Sequence, residues 1–328
     1  MSSSSSKSRT PTAEPVWIDP QMRPILEAMI ARMAARAPMT EITPAEMRAR
    51  AAVDLARWNE NPPAVSRIED RTIPGLFGET RIRLYDPSPT GKPRPALIYF
   101  HGGGWVIGSL DTEDRSLRQL ALASGIAIVS VDYRLAPEHK FPTPVEDCAA
   151  AFTWIADHAV ELGLDPARLA LGGGSAGANL AMATTLMLRD CGGPRPHFLL
   201  LFYGVFGDDP QSESYRQFGG IDYGLPREAM AFFYAQYLRD PAQRADPLVA
   251  PVRADLRGLP PAFLAVAGLD PLRDDSRLLA ERLRGAGVPV TVKEYPGVVH
   301  GFTLMGSALD AANQALEDAG RALAEGLK

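Results

Sequence analysis

Gly173-Gly174-Ser175-Ala176-Gly177 places a serine between flanking glycines, directly after an apolar run and directly before the good helix formers Ala178–Leu188. A chain this rich in glycine yields such a pentapeptide by chance about 0.1–0.2 times, so the motif alone is weak and its setting decides. A strand running into a helix through this turn lifts the serine hydroxyl to the helix N-terminus, where the dipole favours developing negative charge. Ser175 is therefore the candidate nucleophile; the alternative is a plain glycine-rich turn. A serine hydroxyl is a poor nucleophile at neutral pH and needs a base that is itself oriented by an acid.

Only five histidines are available, which permits elimination. For a serine on such a turn, the expected chain order is Ser, then Asp or Glu, then His. His101, His139 and His158 precede Ser175, and His197 lies at the start of a strand, the wrong end of a parallel sheet. His300 follows the expected strand Val290–Tyr295 by five residues and remains as the base, with a buried structural histidine as the alternative. The acid should sit at the same end, and Asp270 directly follows the apolar run Phe263–Gly268. Asp274 and Asp275 are rivals, each with an ordinary reading as an acid in the first turn of a helix.

His101-Gly102-Gly103-Gly104-Trp105 follows the strand Ala96–Phe100. Three consecutive glycines cost chain entropy, and without Cβ atoms their amides can approach an oxyanion closely. Together with the amide of Ala176, just after the candidate nucleophile, the amides of this loop would form a three-donor hole. A phosphate-cradling loop is disfavoured because the GxxxxGK[ST] lysine and the GxGxxG spacing are both missing. His101 reads as a residue shaping this loop, and Trp105 as a pocket wall or as core.

These residues must be carried by an α/β architecture. Expected strands at 96–100, 126–131, 169–171, 198–205, 262–267 and 290–295 alternate with helices at about 115–123, 143–158 and 176–189. Near-continuous apolar strands alternating with helices give a mostly parallel central sheet covered on both faces. Arg67–Ile73 and Thr80–Tyr85 are the expected antiparallel opening of that sheet. Two helices precede it, at about 20–37 and from Pro44 to about Trp58, the second with Thr43 and Glu46 in capping-box spacing. The stretch 206–250 interrupts the rhythm with its own helical pattern, Met230, Phe233, Tyr234, Tyr237 and Leu238. The expected division is a disordered tail at 1–16, cap helices at 17–62, a catalytic α/β part at 63–205, a cap insertion at 206–250 and the rest of the catalytic part at 251–328.

Composition narrows the function classes. With 34 Lys and Arg against 39 Asp and Glu, the net charge is −5. No basic stripe suggests phosphate neutralisation, so nucleic-acid binding is not expected. Cys148 and Cys191 cannot form a disulfide framework and read as reduced thiols. No zinc motif is present, and no apolar stretch has the length of a membrane span. The serine-rich start lacks the apolar segment of a secretory signal, and a cytoplasmic location is expected.

Taken jointly, the chain resembles the hormone-sensitive-lipase-like (family IV) esterases of the α/β-hydrolase fold. The resemblance rests on His101–Trp105, the run Tyr133-Arg134-Leu135-Ala136-Pro137-Glu138-His139-Lys140-Phe141-Pro142, Gly173–Gly177 with Asn179-Leu180-Ala181, Asp270–Asp274, and His300-Gly301-Phe302. It implies an α/β-hydrolase fold with a helical cap and a Ser175–Asp270–His300 triad. Oxyanion donors would come from Gly103, Gly104 and Ala176, and cofactor-free hydrolysis of short- to medium-chain acyl esters would follow. Dimers are common in the family, often by pairing at the end of the sheet, so a homodimer is expected. The run around Glu138 to Asp147 is implied to be structural. One departure is clear: the usual elbow is Gly-Asp-Ser-Ala-Gly, and Gly174 stands where the acid would be, with Ala178 replacing a frequent glycine. Trp105, Phe206 and Tyr223 are the expected substrate contacts. Because the base must be neutral, activity is expected to fall below about pH 6–7. An amidase using the same residues and a non-catalytic binding protein are the competing readings.

Overall fold

The computed structural model describes residues 16–328 apart from 77, 89, 90 and 208; all but the last residue of the expected tail at 1–16 lies outside the described residues. Eight strands form one sheet: β1 (Arg67–Gly75), β2 (Gly78–Asp86), β3 (Arg94–Phe100), β4 (Ala127–Asp132), β5 (Leu164–Gly174), β6 (Phe198–Phe202), β7 (Ala262–Leu269) and β8 (Val290–Val299). Their spatial order is β1-β2-β4-β3-β5-β6-β7-β8. β2 runs antiparallel to both its neighbours, while every pairing from β4 to β8 is parallel. β6 and β7 are buried at every position, as strands covered on both faces must be, whereas β8 at the edge alternates before its apolar end.

Among the described residues the α-helices are α1 (Met22–Ala34), α2 (Pro44–Ala56), α3 (Asp114–Ser124), α4 (Thr143–Asp157), α5 (Ala176–Cys191), α6 (Glu213–Phe218), α7 (Arg227–Tyr237), α8 (Arg273–Gly285) and α9 (Asp310–Gly326). α4, α5, α7 and α8 contribute to one buried cluster and α1, α3 and α9 to the other, so the sheet lies between two cores. α2 opens with the expected capping box: the Thr43 hydroxyl accepts from the Glu46 amide at 3.2 Å, and the Glu46 carboxylate from the Thr43 amide at 2.8 Å.

The segments expected to form a cap meet in space. Gly224, at φ +80°, lies against Met29 and Leu26 of α1, and α7 packs on the short turn Met39–Glu41 before α2. N-terminal to α1, the Asp19 amide donates to the Gly297 carbonyl at 3.0 Å, and Trp17 covers Gly297 near the end of β8. Among the described residues no helix is long and apolar enough to cross a membrane.

Three expectations about the elements change. The strand expected at 198–205 ends at Phe202, because Tyr203 turns the backbone at φ +36° and the Phe206 ring takes the space a Cβ on Gly204 would need. β8 continues to Val299 through a register shift between Ala267 and Leu269, so His300 follows the strand directly. α9 is not among the elements expected from the sequence, although Ala312, Ala315, Leu316, Ala319 and Leu323 are buried at helical spacing.

Candidate active site

The turn between β5 and α5 is built by steric necessity. A Cβ on Gly177 would lie 1.9 Å from the Phe100 carbonyl oxygen, and one on Gly173 2.3 Å from the Gly177 carbonyl carbon. Only glycine permits this approach of β3, β5 and the helix start. Ser175 in the middle has φ +55° and ψ −120°, a strained conformation for a residue with a side chain.

Ser175 follows β5, Asp270 follows β7 and His300 follows β8, so parallel strands deliver all three to one end of the sheet. His300 Nε2 is 2.8 Å from Ser175 Oγ, and His300 Nδ1 is 2.8 Å from Asp270 Oδ2. Asp270 is fully buried, and its other oxygen accepts from the Leu272 amide at 2.9 Å. The carboxylate therefore makes Nδ1 the protonated nitrogen and leaves Nε2 as an acceptor for the serine hydroxyl. The Tyr203 ring stands edge-on to the imidazole, with centroids 5.0 Å apart, and its hydroxyl bonds Thr303.

The glycine loop is held by its carbonyls. In a planar trans peptide, C=O and the following N–H point in opposite directions, so anchoring one aims the other. His101 Nδ1 lies 2.8 Å from the Gly102 carbonyl, which can only accept, and this aims the Gly103 amide the other way. The amides of Val106 and Ile107 donate to the Gly103 carbonyl at 3.1 and 3.0 Å, which aims the Gly104 amide. The Ser175 carbonyl accepts from the Asn179 amide at 3.2 Å and the Val205 amide at 3.5 Å, which aims the Ala176 amide. Among the described residues, none accepts a hydrogen bond from the amides of Gly103, Gly104 or Ala176. Three oriented donors without a protein partner thus belong to the loop and turn that meet at Ser175.

His101 itself is buried and stacked on Tyr133 with centroids 4.4 Å apart, and burial lowers its pKa, keeping the ring neutral. His158 bonds the Trp154 carbonyl within α4, and the His197 amide pairs with Leu169 at the opposite end of the sheet. The rival acids are engaged elsewhere: Asp274 accepts from the Ser214 amide at 2.7 Å, and Asp275 from the amides of Phe206 and Gly207 at 3.2 and 2.8 Å. Both hold the base of the 206–250 insertion.

Of the expected substrate contacts, Trp105 and Phe206 are buried and Tyr223 is not. Trp105 is fully buried and stacks on Tyr237 at 4.3 Å, and Phe206 is fully buried in the same core. With no exposed surface, neither forms an open pocket wall in this conformation. Tyr223 is half-buried against the edge of Phe218. The aromatic residue that does touch the glycine loop is Phe233 of α7, whose ring occupies the space a Cβ on Gly104 would need. Phe233 belongs to the helical pattern noted in the sequence, but nothing in that pattern separates a residue facing the loop from one facing the core.

Residues 97–304 match the model of a family described by its α/β hydrolase fold. An acetyl esterase of Salmonella paratyphi A is 38% identical over 269 residues, covering 80% of this chain and 81% of its own length. The carboxylesterase NlhH of Mycobacterium tuberculosis is 37% identical over 325 residues, covering 95% and 97% of the two chains. Among solved structures, a hyperthermophilic esterase from the archaeon Pyrobaculum calidifontis superposes with a TM-score of 0.89 at 36% identity, covering 94% of this chain and 99% of that one. An ester hydrolase from the metagenome of Lake Arreo, complexed with a bipyridine phosphonate derivative, gives 0.90 at 36% identity over 94% and 98%. Sheet order, nucleophile turn and relatives agree, and the chain belongs to the hormone-sensitive-lipase-like (family IV) esterases of the α/β-hydrolase fold.

Proposed function

We propose that this carboxylesterase hydrolyses short- to medium-chain acyl esters in two steps, with Ser175 as nucleophile, His300 as base and Asp270 as the residue that orients and charges-balances His300. The observation that carries the reading is the unbroken hydrogen-bond chain Ser175–His300–Asp270, at 2.8 Å in both links. As Oγ attacks the ester carbonyl, its proton passes to His300 Nε2. The carbonyl oxygen, now negative, is met by the amides of Gly103, Gly104 and Ala176. Losing one such donor typically costs roughly 3–4 kcal/mol of transition-state stabilisation. His300 then gives the proton to the departing alkoxide as the C–O bond breaks, leaving an acyl-enzyme. Water repeats the sequence and returns Ser175 to its hydroxyl. The sequence of steps uses no cofactor.

The segments 17–62 and 206–250 act as the cap in this reading, supported by their contact through Gly224 and by Phe233 on the glycine loop. The free, unpaired Cys148 and Cys191 support a reducing, cytoplasmic setting. The edge position of β8 supports a homodimer formed by strand pairing.

The test is hydrolysis of p-nitrophenyl esters from acetate to palmitate, with the matching p-nitroanilide, by wild type and Ser175→Ala. Turnover that peaks at short chains and falls roughly 10³-fold or more in the variant is expected. Anilide turnover equal to the esters would replace the reading by an amidase. A folded wild type without turnover on any acyl compound would leave ligand binding as the function.

A further inference from the structure

Glu113 stands immediately before α3, only 4% exposed, and among the described residues no lysine, arginine or histidine forms a salt bridge with it. A carboxyl buried without a cation is costly unless its oxygens are hydrogen-bonded. Here both are. The Gly102 amide donates to Oε1 at 2.8 Å, and the Tyr99 hydroxyl donates to Oε2 at 2.6 Å. Gly102 in turn lies against the nucleophile turn: a Cβ on it would be 3.0 Å from the Gly174 carbonyl oxygen and 3.5 Å from the Ser175 Cβ. The peptide before Gly102 is thereby held at both ends, since its carbonyl, on His101, accepts from the Tyr133 hydroxyl at 2.8 Å.

The other side of this cluster is Gly174, beside the nucleophile. A Cβ there would point to the Tyr99 hydroxyl at 3.2 Å and to the Tyr203 ring at 3.4 Å. The carboxyl in contact with Tyr99 is thus delivered by the start of α3 rather than by the residue next to Ser175. We infer that Glu113 is a positioning residue of the esterase reaction: it clamps the Gly102 amide and so sets the peptide planes that aim the Gly103 and Gly104 amides. The inference rests on the proposed oxyanion role of that loop. Glu113 does not touch substrate, and its effect belongs to the transition state, where the donors must meet a developing charge, rather than to ground-state binding. Burial holds its carboxyl above the ordinary range, consistent with a group retained here for its acceptor geometry rather than for a surface charge.

Glu113→Ala and Glu113→Gln are compared with wild type on p-nitrophenyl acetate, with thermal unfolding measured on each. Glu113→Ala is expected to lower kcat about 10- to 100-fold with KM changed less than about threefold. Glu113→Gln keeps an oxygen acceptor for the Gly102 amide and is expected to recover kcat to within about fivefold of wild type. A folded Glu113→Ala with wild-type kcat, or a loss carried by KM, overturns the inference. If the alanine variant does not fold, Glu113→Asp decides, because it keeps the acid but retracts it by one methylene. A roughly tenfold fall in kcat at unchanged KM then supports the clamp, and wild-type kcat overturns it. Absence of turnover in wild type, or its persistence in Ser175→Ala, would instead defeat the proposed function.

Discussion

At the scale of single residues, the unusual feature is which carboxyl the site keeps. The elbow expected from the family resemblance carries an acid at the position of Gly174, and introducing one looks conservative. The geometry argues otherwise: the Tyr99 hydroxyl that an aspartate there would reach already donates to Glu113. Two buried carboxylates would compete for one donor and repel each other. Gly174→Asp is therefore expected to destabilise the fold by about 2–4 kcal/mol and to lower kcat, measured by urea unfolding and ester turnover. Glycine, serine, histidine and aspartate were legible in the sequence because each is confined by a rule of chain order or backbone geometry. Glu113 was not, since in Asp111-Thr112-Glu113-Asp114 it is chemically indistinguishable from an exposed acid at a helix start. The depth of Trp105 and Phe206 is illegible for a related reason: large aromatic residues near a site line pockets or fill cores, and spacing does not say which.

At the scale of elements, the loop between β4 and α4 ties the site's supports together. Arg134 bonds Asp147 of α4 through Nε at 2.8 Å and Nη2 at 2.7 Å, and Arg48 of α2 pairs with Glu138. Lys140 Nζ donates to the carbonyls of Ala235 and Leu238 at 3.0 and 2.9 Å, and the Phe141 amide to Tyr237, so the C-terminal end of α7 is capped by this loop. The Asp147 side chain is 3% exposed and the Arg134 side chain 30%. Arg134→Ala leaves a buried carboxylate without its cation, and after discounting for the arginine's partial exposure it is expected to cost about 2–3 kcal/mol. The double variant with Asp147→Ala should cost less than the sum of the two single changes, which a double-mutant cycle in urea measures. The apolar strands and their helices were legible because burial on both faces leaves uniform hydrophobic runs. Their ends were not, because the shift between Ala267 and Leu269 and the turn at Tyr203 arise from neighbours distant in sequence.

At the scale of the whole molecule, two buried groups give stability a pH dependence of opposite sign. Burial lowers the pKa of His101, so the unfolded chain takes up a proton that the native state refuses; this contribution is complete above about pH 6.5 and is lost as pH falls through the lowered folded value. Burial raises that of Glu113 above its ordinary 4.5, so the native state holds a proton that the unfolded chain releases; this contribution is complete below 4.5 and lost as pH rises through the folded value. Glutamine does not titrate. The Tm of Glu113→Gln relative to wild type should therefore rise between about pH 4.5 and pH 8, and a difference independent of pH would contradict the direction of the shift. The order of strands along the sheet carries one more consequence. Ser175 leaves β5, Asp270 leaves β7 and His300 leaves β8, with β6 between the first two. No stretch of chain shorter than 126 residues contains all three, and the last of them arrives only when the final strand has docked at the edge. Ester turnover therefore cannot return during refolding before β8 has docked, and its recovery reports the closing of that edge of the sheet.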